Sequence, residues 1–399
     1  MSSFFFKGSA DHGLHTSFLP GPPPARRFLF LPGMVGGLLG GSLALPFLQI
    51  HPTAGQAFCH GILMAFFVIC PAALGGFGQW LLPAELGTDR TTLPALTLTG
   101  FCFLSSGVVF LPIQPIIALA LWAVGVFAVA LDVITTFLEG RVLQFRKLSP
   151  LAWSMLATAS GVTIVAPVLA AITTRMMING APANAAHELV SLLHLPETSL
   201  MLTPALGLVC YLLSSSRNKP GLADRLAPYA FGVMAVVGPL FWMDGLFGGV
   251  PAAVQGSLVV LTQLVPSVLL VTALCIDVWK QRQELDGTTL WALGSVILFS
   301  AGWIAEFMPG HGTDHSAAAF GGIMALCGGF YAWMMRVLPD HIPSPLSRMH
   351  AGLTFVGALC SLTPALMVVG EGLMGLSLLT FGILGLFLIK ETGRARAKA

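Results

Sequence analysis

Long apolar runs broken by short polar, proline- and glycine-containing stretches make up nearly the whole chain. A bilayer-spanning helix needs roughly 20 apolar residues, and the breaks divide the sequence into twelve runs of about that length: 27–50, 55–84, 93–112, 115–139, 149–178, 187–213, 227–250, 252–279, 289–308, 313–338, 346–367 and 371–391. Within a run the apolar residues cover every side of a helix, so periodicity adds little and length carries the assignment. The pattern predicts an all-α polytopic membrane protein with twelve transmembrane helices. Its parts are a tail over 1–26, a single transmembrane domain over 27–391 and a basic tail over 392–399.

Composition agrees: 55% of residues are hydrophobic, 9% are charged and the mean hydropathy is +0.85. A formal charge of +2 over 399 residues leaves no basic surface for nucleic acid. Cys59, Cys70, Cys102, Cys210, Cys275, Cys327 and Cys360 all lie in apolar runs, without C-x-x-C spacing or a disulfide framework, and read as packing residues. The first run follows Pro22–Pro24 and Arg26-Arg27 with no A-x-A site, which reads as a cytoplasmic tail and not a cleaved signal.

Charge distribution sets the orientation. With twelve spans, eighteen of the nineteen Lys and Arg residues fall on one side and only Arg175 falls on the other. Positive charge is retained on the cytoplasmic side, so both termini are expected there, in a membrane of the bacterial inner type.

Two histidines then stand out. His60 lies near the outer end of the second span and His315 near the outer end of the tenth, in G-H-G-T-D-H-S, at similar shallow depth given a rise of about 1.5 Å per residue. Imidazoles at matched depth on two helices can hold a low-spin haem iron from both sides; alternatively, each bonds a carbonyl of a neighbouring helix. His51, His187, His194 and His311 are expected at outer connections, and His341 and His350 at the cytoplasmic side, in solvated or capping roles.

The second span reads H-G-I-L-M-A-F-F, then P-A-A-L-G-G-F-G-Q-W-L-L-P, from His60 to Pro83. With P-L-A-W-S…P-V-L-A-A-I-T (Pro150 to Thr173), L-W-A-L-G-S-V-I-L-F-S-A-G (Leu290 to Gly302) and G-G-F-Y-A-W (Gly328 to Trp333), it resembles subunit I of the haem-copper oxidases, the cytochrome c oxidase family, with Gln79 where the family has Asn. The resemblance implies which ligands persist. The family's H-x-H before G-G-F-Y falls on Thr313 and His315, so the oxygen-binding haem loses its ligand and the low-spin haem keeps both, His60 and His315. The family's H-P-E-V-Y falls on Leu195-Pro196-Glu197-Thr198-Ser199 and its W-x-H-H-M-F on Trp242-Met243-Asp244-Gly245-Leu246-Phe247, so the three copper histidines and the cross-linked tyrosine are replaced. The lysine of the family's proton route falls on Leu270 and its loop aspartate near Arg90, beside Asp89, whereas Glu197 persists. The arginine that contacts the haem A formyl falls near Leu45-Pro46, and the pair that holds the propionates is absent from Val369 to Gly372, which leaves haem type open between A and B.

The expectation is a non-oxidase relative: a respiratory membrane cytochrome with one bis-histidine haem and no copper. Its partners would be other respiratory subunits, a cytochrome c or quinol donor and membrane lipid, but no nucleic acid. One alternative is a structural or assembly subunit with little or no haem. Another is a channel through the emptied cavity, using Glu197 and Asp244.

Overall fold

The computed structural model describes residues 59–180, 185–214, 220–249, 252–281, 287–306, 316–337 and 344–398. They form helices α1 (Cys59–Trp80, continued by Leu82–Leu86), α2 (Pro94–Phe110), α3 (Pro115–Gly140), α4 (Pro150–Asn179), α5 (Ala185–Ser214), α6 (Leu222–Leu246), α7 (Ser257–Lys280), α8 (Gly287–Glu306), α9 (Ser316–Val337), α10 (Ser344–Ser361) and α11 (Met367–Lys398). Among the described residues nine of these helices are long and apolar enough to cross a membrane. Helix α1 is the second expected span; the first, 27–50, lies outside the described residues, as do His51, His311, His315 and His341.

Helix starts follow from local chemistry. Pro94, Pro115 and Pro150 occupy first-turn positions, where a missing N–H costs nothing. Ser149 Oγ accepts from Ala152 N at 3.2 Å to cap α4. Two starts are capped from elsewhere in the bundle: Asp132 Oδ1 accepts from Leu93 N at 2.7 Å just before α2, and the carboxylate of Asp277 on α7 accepts from Leu222 N and Ala223 N at 2.9 Å each.

Without water to expel, membrane helices associate through close packing and polar contacts. Helices α2 and α3 meet backbone to backbone: a Cβ at Gly100 would lie 2.6 Å from Gly125 O, and one at Gly125 would lie 2.9 Å from Gly100 O. Helix α3 also packs along α4, α4 along α5 and α6, α6 along α7, α8 along α9, and α10 along α11, while α9 returns to α5 and α1. The bundle is organised around α1 and α5, whose apolar windows are 89% buried, whereas that of α11 is only 17% buried and lies at the periphery. Phe66, Phe67 and Phe77 on α1 are fully enclosed, and the Trp80 ring stacks on Trp333 of α9 with centroids 4.1 Å apart and planes 6° apart.

Candidate functional site

His60 sits in the first turn of α1. The ring is half-buried, whereas the helix is almost wholly buried from Ile62 to Pro83. Cys59 Sγ contacts Leu111 O at 3.7 Å, tying this first turn to the end of α2. A methyl group built at Gly61 would meet no described atom within 4 Å, and Met64, one turn further on, is half-buried. Half-buried in the first turn of a buried helix, the His60 imidazole has the donor chemistry of an axial haem ligand.

Below His60 the helix leaves the α register. Residues Leu63–Ile69 form a π turn, in which Cys70 N bonds Ala65 O, five residues back. The next donor would be residue 71, but Pro71 has no N–H. The carbonyl left over is Phe66 O, and Trp122 on α3 supplies the missing donor through Nε1 at 2.5 Å, with its ring edge-on to Phe66 at 4.7 Å.

The same arrangement recurs in α6. Val233–Val237 is π-helical, Gly238 N bonds Val233 O, and Pro239 follows, leaving Met234 O. Two donors converge on that carbonyl, Ser199 Oγ of α5 and Gln263 Nε2 of α7, each at 2.8 Å. Ser199 is the residue on which the resemblance sets the family's tyrosine. Around it Leu195 is buried, Trp242 Nε1 donates to Leu192 O at 2.8 Å, and a Cβ on Gly161 of α4 would lie 2.1 Å from Ala235 O. This wall is therefore closely packed and its hydrogen bonds are directed inward. Asp244, which the channel alternative would set in the cavity, is exposed in the last turn of α6, with its carboxylate against Gly249; Glu197 is half-buried.

At the end of α1 opposite His60, the sequence reading missed a polar cluster. Asp132, fully buried on α3, accepts from Leu93 N at 2.7 Å through Oδ1, and from Gln79 Nε2 at 3.0 Å and Thr97 Oγ1 at 2.6 Å through Oδ2. Gln79 also donates to Thr97 Oγ1 and accepts from Thr91 Oγ1, both at 3.0 Å. Each contact delivers a hydrogen toward an acceptor-only carboxylate or along the chain leading to it. The cluster thus clamps α1, α2 and α3 together. An acid well inside an apolar span was the signal that could have found it.

His350 corrects a second expectation. It was assigned to the cytoplasmic side as a solvated or capping residue, yet it is 2% exposed. Nε2 lies 3.0 Å from Ser377 O, which can only accept, so the proton is assigned to Nε2, and Nδ1 accepts from the Tyr331 hydroxyl at 3.0 Å. Thr354 Oγ1 donates to His350 O at 2.8 Å and lies 2.7 Å from Ser377 Oγ. Trp291 meets the imidazole edge-on at 5.1 Å. This network joins α8, α9, α10 and α11. His194, expected at an outer connection, is half-buried within α5.

Comparison with known proteins places this architecture. Residues 26–386 match the family described as Cytochrome C and Quinol oxidase polypeptide I. Cytochrome c oxidase subunit 1 of Cereibacter sphaeroides is 25% identical over 364 residues, covering 75% of this chain and 64% of the relative. That of Yarrowia lipolytica is 24% identical over 359 residues (75% and 67%), and that of Synechocystis sp. is 24% identical over 428 residues (91% and 75%). The chain thus spans less than two thirds of the first of these relatives. With a match over most of its length to one family, and an all-helical bundle of membrane-spanning helices, the chain belongs to the cytochrome c and quinol oxidase polypeptide I family.

Proposed function

We propose that this chain is a non-catalytic membrane cytochrome. It carries one low-spin haem, of type A or B, between His60 and His315, lacks an oxygen-reducing binuclear centre, and passes electrons from a cytochrome c or quinol donor to other respiratory components. A six-coordinate haem with two imidazoles supplies one-electron transfer and leaves no open position for oxygen. The observation that supports this reading is a contrast within one bundle: His60 stands beside Gly61, where a Cβ would meet no described atom within 4 Å, while Ser199 donates to the Met234 carbonyl in a closely packed wall. The chain's own part is to hold the imidazole on a rigid helix and to exclude water below it. The orientation inferred from Lys and Arg places both termini in the cytoplasm of a bacterial inner membrane.

The test is a pyridine haemochrome assay with metal analysis on the purified protein. One haem per chain, no stoichiometric copper, and reduced-state bands lost in His60→Ala and His315→Ala are the expected results. Bound copper or a second haem would refute the proposal.

A second reading, a structural or assembly subunit with little or no haem, is favoured by the three closed polar joints at Asp132, Met234 and His350, which stitch the bundle together without any cofactor. A colourless protein that co-purifies with other respiratory subunits would select it.

A further inference from the structure

We infer that Trp122 is a positioning residue for His60, acting through the register of α1. Proline at position 71 obliges one carbonyl in the preceding turn to go without its helical partner. In an α register Cys70 N would bond Phe66 O and the carbonyl left over would be that of Phe67; in the π register that is present, Cys70 N bonds Ala65 O and the one left over is Phe66 O. The two registers differ by one residue, a rotation of about 100° for everything on the His60 side of the turn. The choice between them is made by which carbonyl finds an outside donor. Trp122 Nε1 reaches Phe66 O, so its N–H selects the π register.

Phe66, Phe67 and Phe77 hold the body of α1 against its neighbours, so the rotation would be taken up in the half-buried first turn, where His60 stands and the tie from Cys59 Sγ to Leu111 O is weak. His60 faces its present direction because an indole N–H on α3, about three turns along α3 from the Asp132 clamp, or roughly 15 Å at a rise of 1.5 Å per residue, completes one backbone hydrogen bond. The part of this inference that concerns haem rests on the cytochrome reading above; the part that concerns the direction of His60 does not.

The test removes the N–H and keeps the ring. Trp122→Phe is the first variant. The second, in case that one fails to fold, places benzothienylalanine at position 122, a tryptophan isostere with sulfur in place of N–H. Haem content is matched by pyridine haemochrome, and the ferric low-spin resonance, whose g values report the mutual angle of the axial imidazoles, is compared with that of the wild type. In parallel, haem-depleted protein is treated with diethyl pyrocarbonate and acylation of His60 is followed by mass spectrometry. The expected results are a shifted or lost low-spin resonance and about a tenfold change in the His60 acylation rate, the scale set by one unsatisfied buried carbonyl. If the N–H is removed and both the resonance and the rate stay at wild-type values, the inference is overturned. A wild-type protein that binds no haem defeats the cytochrome reading, and the acylation rate alone then decides this one.

Discussion

Replacing Asp132 with alanine would take one acceptor away from three donors, two on buried side chains and one on the backbone of the exposed Leu93. Leu93 N loses its bond at 2.7 Å and has no helical carbonyl to turn to, because it precedes the first turn of α2. Thr97 Oγ1 loses its bond at 2.6 Å but its hydroxyl can rotate, and Gln79 Nε2 keeps its second bond to Thr97. One lost bond at the part-buried Leu93 N–H and two weakened buried donors, at about 1–3 kcal/mol for each bond to a charged acceptor, give about 3–5 kcal/mol in total. Asp132→Asn would preserve the bond from Leu93 while turning an amide N–H toward Gln79 and Thr97, so its cost should fall between that of alanine and that of Thr97→Val, about 1 kcal/mol. Thermal unfolding in detergent can be followed with a thiol-reactive dye. Cys70 and Cys210 are buried and react only on unfolding, while Cys102 and Cys275 are exposed and set the baseline. The expected order of melting points is wild type, Thr97→Val, Asp132→Asn, Asp132→Ala, with the last lowered on the order of 5–10 °C. Asp244→Ala, which alters an exposed carboxylate, should leave the melting point unchanged. An Asp132→Ala protein that melts within about 1 °C of the wild type would refute the claim that this cluster holds three helices together.

Two donors on Met234 O should make the joint redundant: Ser199→Ala and Gln263→Leu should each lower stability by about 1 kcal/mol or less, and the double variant by clearly more than their sum, as read from a double-mutant cycle on melting points. Tyr331→Phe leaves His350 Nδ1 buried without its donor, an expected loss of about 1–2 kcal/mol in the same melting assay. Placing histidines where the resemblance puts the family's copper ligands, L195H with D244H and G245H, is expected to yield protein without stoichiometric copper by metal analysis, because Asp244 is exposed and α4 touches α6 at Gly161 and Ala235.

The helices were legible because a bilayer demands length and apolarity, and the sequence meets both between marked breaks. Boundaries were less so where a break residue has another purpose. Residues 368–370 read as a connection, yet α11 starts at Met367, since Gly370 allows its helix to lie against Ser361, where a Cβ would fall 2.1 Å from the backbone N. His350 was misplaced because it neighbours Arg348. Its own helix carried the answer: Ser347, His350, Ala351 and Thr354 recur at three- and four-residue steps and are buried, while Arg348 and Met349 between them are exposed. His60 was legible as a candidate ligand from its place in an apolar span, but the device beneath it was hidden. Nothing in Pro71 by itself announces a π turn, and the donor that decides the register lies fifty-one positions further along the chain.

That separation has a bearing on biogenesis. Hydrocarbon tails contain no donor, so a carbonyl released by an internal proline can be satisfied only by a neighbouring helix. During synthesis α1 enters the membrane well before Trp122 has been made, and a chain halted between them would hold an exposed polar notch on its most enclosed helix. Helix α6 differs, because Ser199 precedes it and can meet Met234 on arrival, with Gln263 closing the joint one helix later. The nascent bundle is thus most vulnerable to retention by insertion factors, or to proteolysis, in the interval before α3 is complete.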